Sequence, residues 1–197
     1  MPYDAPSQLA EMSLAEIAAA VAARKLPPLD RWDPAETIDS HMRISADGSW
    51  WHDGRPITRP AMVRAFASLL TRDAGAEHFL LTPQCRQRII VEDAAFLAVD
   101  LQETDGALAF RLNTDELVIA GPQNRLRAEG DVDLPAIYLA VRHGCEARIN
   151  RSTWLQLVAL AHDVDGVPCV TSQGVTFPLV PHPLVPRPLV PRPLVPQ

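Results

Sequence analysis

The amino-acid sequence predicts an α+β protein made of two related halves, and three observations carry that prediction. Short runs of alternating apolar residues are joined by tight turns at Asp47-Gly48, His143-Gly144 and Gln173-Gly174, which is the pattern of hairpins. Capped amphipathic helices fall between them, so the order hairpin–helix–hairpin occurs twice. The third observation is an echo. Ile57-Thr58-Arg59-Pro60-Ala61-Met62-Val63 and Ile149-Asn150-Arg151-Ser152-Thr153-Trp154-Leu155 both read apolar, N-cap, arginine, two small residues, two large apolar residues. Capped helices resemble one another in general. Agreement in element order as well as in cap favours an internal duplication, two α+β halves meeting at a shared interface.

The elements follow in order. Ser13-x-x-Glu16 is a capping box opening an alanine-rich helix to about Lys25, with Leu14, Ile17, Ala18 and Val21 as its apolar stripe, and Leu26-Pro27-Pro28 ends it. An extended arm with Trp32 and Pro34 leads to the first hairpin. A two-residue turn at Asp47-Gly48 pairs Ile44 with Trp51 and Arg43 with His52. That register sets Met42, Ile44 and Trp51 on one face and Arg43, Ser45, Trp50 and His52 on the other. Thr58 caps a helix with Pro60 in its first turn, where a missing N–H costs nothing, and Met62, Val63, Phe66, Leu69 and Leu70 form the buried face.

A second hairpin, His78–Leu81 with Arg86–Val91, turns at Pro83. Phe96–Leu101, Leu108–Leu112 and Glu116–Ala120 read as strands, and Gly121 to Pro135 as a polar connector. Ile137–Val141 and Cys145–Ile149 form another hairpin. A two-residue turn would set Val141 against Glu146. A three-residue loop Arg142-His143-Gly144 with Gly144 left-handed sets Val141 against Cys145 and Leu139 against Ala147, and leaves Tyr138, Ala140, Glu146 and Arg148 on the other face. Asn150 caps a helix to Ala161 with Trp154, Leu155 and Val158 buried, and Val167–Thr171 and Val175–Phe177 close the fold.

The domains expected are an N-terminal helix (1–26), a first α+β half (27–94), a second α+β half (95–178) and a disordered tail (179–197). From Pro178 the chain repeats Pro-Leu-Val-Pro-x four times. Each copy lacks two backbone donors and favours extended polyproline II. It contains P-x-x-P, which docks into aromatic grooves, although repetition alone accounts for it.

Composition excludes several classes. The formal charge is −6, and the tail adds only arginines, so the body is more acidic still and unsuited to general nucleic-acid binding. No run of 18 apolar residues spans a membrane, and no basic-then-apolar leader opens the chain. Three well-separated cysteines, Cys85, Cys145 and Cys169, suit a reducing cytoplasm and neither a disulfide framework nor a metal site. No cofactor or metal is expected. His162-Asp163-Val164-Asp165-Gly166 begins like a calcium loop but lacks the later acid, and His143-x-Cys145 lacks a second half.

The chemistry-bearing residues are mostly arginines. Between Met42 and Ile90 stand Arg43, Arg55, Arg59, Arg64, Arg72, Arg86 and Arg88, against Asp47, Asp53, Asp73 and Glu77. A guanidinium offers a planar fork to phosphate or carboxylate and stacks on aromatic rings. The alternative is internal ion pairing, for example Arg88 with Glu92 or Asp93. Glu92-Asp93 is an adjacent acidic pair beside an apolar strand, read as a turn or an arginine partner before a catalytic pair.

Pro27-Pro28, Trp32-x-Pro34, Met42-Arg43-Ile44, Asp47-Gly48-x-Trp50, Gly54-x-Pro56-Ile57-x-Arg59-Pro60, Thr82-Pro83, Val91-Glu92-Asp93-Ala94-x-Phe96 and Gly144-x-Glu146-Ala147-Arg148 together resemble a bacterial family known as domain of unknown function 1285. The resemblance covers about residues 26 to 178. It implies a duplicated α+β core whose second half is similar to a pleckstrin-homology-like fold, a small-ligand site between the halves and a signalling role, with no activity attached.

The function expected is a cytoplasmic, non-enzymatic small-ligand-binding or signalling module with its site between the halves. Arg43, Trp50, Arg59, Glu146 and Arg148 are the expected contacts to an anionic or nucleotide-like small molecule. The alternatives are a protein-interaction adaptor, with a protein partner, and an enzyme using Glu92 or Glu146 as general base.

Overall fold

Two six-stranded sheets organise the chain in the computed structural model, which describes residues 13–23 and 26–181. The first sheet holds β1 (Thr37–Ile44), β2 (Trp50–His52), β3 (Arg55–Pro56), β4 (Leu70–Arg72), β5 (His78–Leu81) and β6 (Arg86–Val91), in the order β3-β2-β1-β6-β5-β4. The second holds β7 (Phe96–Thr104), β8 (Ala107–Leu112), β9 (Leu117–Ile119), β10 (Leu126–Gly130), β11 (Pro135–Ala140) and β12 (Glu146–Ile149), in the order β10-β11-β12-β7-β8-β9. Read from its other edge, the second order is the first, with β1 answering to β7 and so on to β6 and β12. Each sheet has one parallel pair at its centre, β1 with β6 and β7 with β12, and antiparallel neighbours elsewhere. Two sheets of the same topology are what two related halves require.

The correspondence differs from the one the echo suggested. Helix α2 (Pro60–Ala67) lies between β3 and β4, whereas α3 (Arg151–Ala159) follows β12, so the two helices are not equivalent in the repeat. A capped amphipathic helix carries too little pattern to identify its place in a repeat. The aligned turns are better markers. Counting three residues out from each turn, Phe79 faces Arg88 on β5–β6 and Tyr138 faces Arg148 on β11–β12.

The first hairpin corrects the expected register by one residue. Ser45 N bonds Ser49 O, Gly48 N bonds Ser45 O, and Gly48 has φ +79°. This is a three-residue loop, Ala46-Asp47-Gly48, ending in a left-handed glycine. Ile44 therefore faces Trp50 and Arg43 faces Trp51. A one-residue slip exchanges faces, so Trp50 (2% exposed) joins Met42 and Ile44 in the core and Trp51 lies on the arginine face. The second such hairpin has the register its pattern predicts, Leu139 with Ala147, and Gly144 is left-handed. Its turn closes from Cys145 N to Arg142 O, which leaves Arg142 as an extra residue aimed inward.

One apolar core runs through both sheets, with Ile44, Leu70, Leu80, Phe96, Phe110 and Leu139 almost wholly buried. Each such side chain contributes roughly 1.5–3 kcal/mol. Each half also lays a turn on the other. A Cβ on Gly48 would meet Asn113 Nδ2 at 2.8 Å and Leu97 Cδ1 at 2.9 Å, and one on Gly144 would meet Arg72 O at 2.6 Å. Arg72 N donates to His143 O at 2.8 Å at that second approach.

Helix α1 (Leu14–Ala23) carries the expected capping box, Ser13 N and Oγ to Glu16 and Glu16 N to Ser13 Oγ. Ile17 packs on Ala109 and Leu117 while Ala18 is exposed; the side chains of Leu14 and Val21, and residues 24–25, lie outside the described residues. A third sheet of β13 (His162–Val164), β14 (Val167–Ser172) and β15 (Val175–Pro178) packs on the second, where buried Ser172 accepts from Leu108 N and donates to Ala120 O. Leu179 is 1% exposed and bonds Pro168 O, so the first repeat unit begins inside the fold. The expected disordered tail from 182 onward lies outside the described residues.

Other local expectations change. Arg59, not Thr58, holds the N-cap position of α2 and supplies no side-chain cap, and Met62 is exposed. Asn150 caps α3 through Thr153 N, but the buried face is Thr153 and Leu157, with Leu155 and Val158 in solvent. The polar connector contains β10, and the calcium-like segment is strand β13 followed by a turn at Asp165-Gly166.

Candidate functional site

The crossing from one half to the other is the segment Glu92-Asp93-Ala94-Ala95, between β6 and β7. Ala94 and Ala95 are buried and small, and above them a hollow of about 280 Å³ opens. Arg72, His78, Glu92 and Asp93 line it from the first half, and Arg127, Glu129, Tyr138 and Glu146 from the second. Alternation on β11 and β12 turns Tyr138, Glu146 and Arg148 off the core face, while Leu139 and Ala147 go in.

Every charge here has a partner. Glu92 accepts from Arg43 and from Ala46 N at 3.0 Å. The Arg43 bond, helped by the Ala46 N–H, holds the Glu92 carboxyl below the usual carboxylate range. Asp93 accepts from Tyr138 Oη at 2.6 Å and lies 3.5 Å from Arg148 Nη1. Glu146 accepts a fork from Arg127, Nε at 2.6 Å and Nη2 at 2.8 Å, and a longer bond from Arg72 at 3.4 Å. Arg127 also reaches Glu129, and these bonds, Glu146's above all, raise its pKa further. Tyr138 is clamped between two guanidiniums, Arg127 at 4.2 Å and Arg148 at 5.2 Å from its ring centroid. Burial, and secondly the Arg72 charge, lower the His78 pKa.

Of the residues expected at a site, Glu146 lines the cleft, and Arg148 and Arg43 stand behind it, holding Asp93 and Glu92. Trp50 is elsewhere, in the core against Phe66 with ring centroids 6.3 Å apart. Arg59 lies at the β3–α2 connection. The suggested pairing of Arg88 with Glu92 or Asp93 is replaced by Arg88 with Glu77 at 3.5 Å. As a general base Glu92 has the wrong environment, since a base needs its pKa raised toward neutrality. Arg127 and Glu129 escaped notice because their strand is polar and reads as loop. Tyr138 was legible, placed on the Arg148 face by register. No group of histidine, cysteine and carboxylate side chains among the described residues could hold a metal, and no helix among them is long and apolar enough to cross a membrane.

Residues 27–94 match the N-terminal domain, and residues 95–179 the C-terminal domain, of the unknown-function family DUF1285. A DUF1285 family protein from Silicibacter pomeroyi DSS-3 superposes with a TM-score of 0.74 at 37% identity, covering 84% of this chain and 94% of that one. A second, from Shewanella baltica OS155, shares the fold at 24% identity with a TM-score of 0.50, covering 60% of this chain and 90% of that one. No curated protein matches the chain. Two domain matches in sequence and the shared structure make this chain a member of the DUF1285 family.

Proposed function

We propose that the chain is a non-enzymatic small-ligand-binding or signalling module whose ligand sits in the cleft between the halves. The observation that carries this reading is a hollow at the crossing, floored by two alanines and walled by charged side chains from both halves. A purely structural seam would close with larger apolar side chains. Here each carboxylate faces a guanidinium, so a bare anion must displace a carboxylate. A small molecule bearing both signs can instead exchange one internal pair for two of its own. That favours an amino-acid-like zwitterion at this cleft. Arg127, with 43% of its side chain exposed against 33% for Arg72, is the cleft guanidinium better able to move.

Glu146, Arg148 and Arg43 support the reading through the pairs they hold, and Tyr138 is the aromatic partner expected of Trp50. Pairs that cross the cleft, Arg72 with Glu146 and Asp93 with Tyr138, make occupancy felt by both halves, which suits signalling. The order of six strands followed by α3 against β7 supports a pleckstrin-homology-like second half. The three free thiols suit a cytoplasmic location. An adaptor role is the second reading, favoured by exposed Leu134 and Leu155 beside Trp154.

Thermal denaturation with a panel of amino acids, their derivatives and phosphorylated metabolites tests the first reading. A ligand at a hundred times its Kd stabilises by about 2.7 kcal/mol. Stabilisation by a zwitterion, lost in Glu146→Gln, is expected. No shift with any compound, or a shift indifferent to Glu146→Gln and Asp93→Asn, counts against it.

A further inference from the structure

We propose that a second site, on the far side of the first half, binds the phosphate ester of a planar ring compound, of the nucleoside monophosphate class. Of the seven arginines between Met42 and Ile90, Arg43, Arg64, Arg72, Arg86 and Arg88 each have a carboxylate partner. Arg55 and Arg59 have none among the described residues, and both line one hollow of about 490 Å³ at the β3–α2 connection. Two exposed guanidiniums without carboxylate partners lining one hollow offer a doubly positive grip for a phosphate dianion. Thr58 lines the same hollow, and its hydroxyl has no hydrogen-bond partner among the described residues. The one carboxylate there, Asp53, stands 3.6 Å from His52 Nε2.

The hollow shares Pro56, Ile57 and Thr58 with a neighbouring groove of about 550 Å³, whose lining includes the half-buried Trp51 and, from the second half, Asn113 and Asp115. Both volumes fall within the roughly 300–1,000 Å³ usual for small-molecule pockets. Trp51, with Ile57, Pro60 and Val63, gives the groove the aromatic and apolar lining that suits a flat ring. Its edge would meet one donor and one acceptor. Asn113 Oδ1 is taken by Leu97 N at 3.1 Å, which leaves the amide NH₂ to donate. Asp115 Oδ2 is taken by Arg64 at 3.0 Å, which leaves Oδ1 to accept. Phosphate at one end and a hydrogen-bonding ring at the other require a ligand with both parts. No residue of this groove lines the cleft at Glu92–Ala95, so the two sites stand or fall separately.

Isothermal titration of the full chain with adenosine 5′-monophosphate, adenosine and inorganic phosphate is the test. The monophosphate should bind at least about ten-fold more tightly than either fragment, and the double variant Arg55→Ala/Arg59→Ala should weaken it by about ten-fold or more while leaving adenosine unchanged. Both arginines are exposed and unpaired, so the double variant should keep the parent's Tm; Arg59→Gln alone gives a milder check. Glu146→Gln should bind the monophosphate as the parent does. The proposal is overturned if the monophosphate does not bind, if inorganic phosphate binds as tightly, or if removing both arginines changes nothing.

Discussion

Tyr138 donates its phenolic hydrogen to Asp93 Oδ1 across 2.6 Å, and the bond joins β11 of the second half to the segment that leaves the first. Arg148 Nη1 donates to the same phenol oxygen at 3.0 Å and faces Asp93 Oδ2 at 3.5 Å. The phenol thus accepts from a cation and donates to an anion. Burial first, and the bond to Asp93 second, push its pKa above the ordinary tyrosine value.

Removing the hydroxyl tests what that bond contributes. Tyr138 is 8% exposed, and a hydrogen bond to a charged group is worth about 1.5–3 kcal/mol. Tyr138→Phe should lower urea stability by that amount. Asp93→Asn should cost less, since an amide oxygen still accepts the phenol. Equal stability of Tyr138→Phe and parent would mean that Arg148 alone satisfies Asp93.

Arg142 is the bulged residue of the second-half hairpin, and its guanidinium is anchored in the first half as well. It pairs with Glu116, donates to Ala67 O at 3.0 Å and lies 5.1 Å from the Phe96 ring centroid. The two charged side chains are 12% and 8% exposed. Deleting one member of a buried pair strands the other, at about 3–5 kcal/mol. Arg142→Ala should approach that loss in calorimetry, whereas Arg64→Ala, whose pair with Asp115 is about 40% exposed, should cost under about 1 kcal/mol. Similar losses for both would show that burial does not govern these pairs.

Gly48 carries two demands, a left-handed φ of +79° and an approach to Leu97 and Asn113 too close for a Cβ. Gly48→Ala should destabilise by about 1–3 kcal/mol through strain and displacement together. Gly54→Ala is the control, with φ +72° but open space around it, and should cost less.

The contrast between the two hairpins shows how far sequence carries. At His143-Gly144 a two-residue turn would have set Val141 against Glu146, so charge chose the register. At Asp47-Gly48 both Trp50 and Trp51 are large and aromatic, so alternation could not choose, and the commonest turn gave the wrong face. Most strands were legible because Leu108, Phe110 and Leu112, or Val170 and Phe177, mark the buried side. Strand β10 was hidden because Arg127 and Glu129 serve the cleft and leave few apolar residues to announce it. The arginine excess was visible. Which arginines are paired was not, because Arg43 meets Glu92, and Arg72 meets Glu146, only after the halves fold together.

Thiol chemistry separates the three cysteines. Burial pushes the Cys145 thiol up to about 12 and raises that of Cys169, and both are nearly inaccessible. Cys85 is half-buried at the β5–β6 turn. Thiolate is the reactive form. A thiol reagent at pH 8 should therefore modify Cys85 first in the native chain and the other two only on unfolding, read by peptide mass mapping. Equal labelling of Cys145 would contradict its buried place.

His78 gives the cleft a pH dependence whose sign can be worked out. Burial, then the Arg72 charge, disfavour the imidazolium, so the folded-state pKa lies below the ordinary value of 6.5. Below 6.5 the unfolded chain then takes up a proton that the folded chain refuses. The stability that neutral His78 contributes is present above pH 6.5 and is lost as pH falls through the folded-state value. The effect is opposite in direction to that of a histidine gaining a carboxylate partner. Stability measured in urea from pH 7.5 to 5 should fall more steeply for the parent than for His78→Gln, and the imidazole carbon resonances should titrate below 6.5. A titration above 6.5 would mean that the Glu146 and Asp73 charges, which act in the opposite sense, outweigh burial at this position.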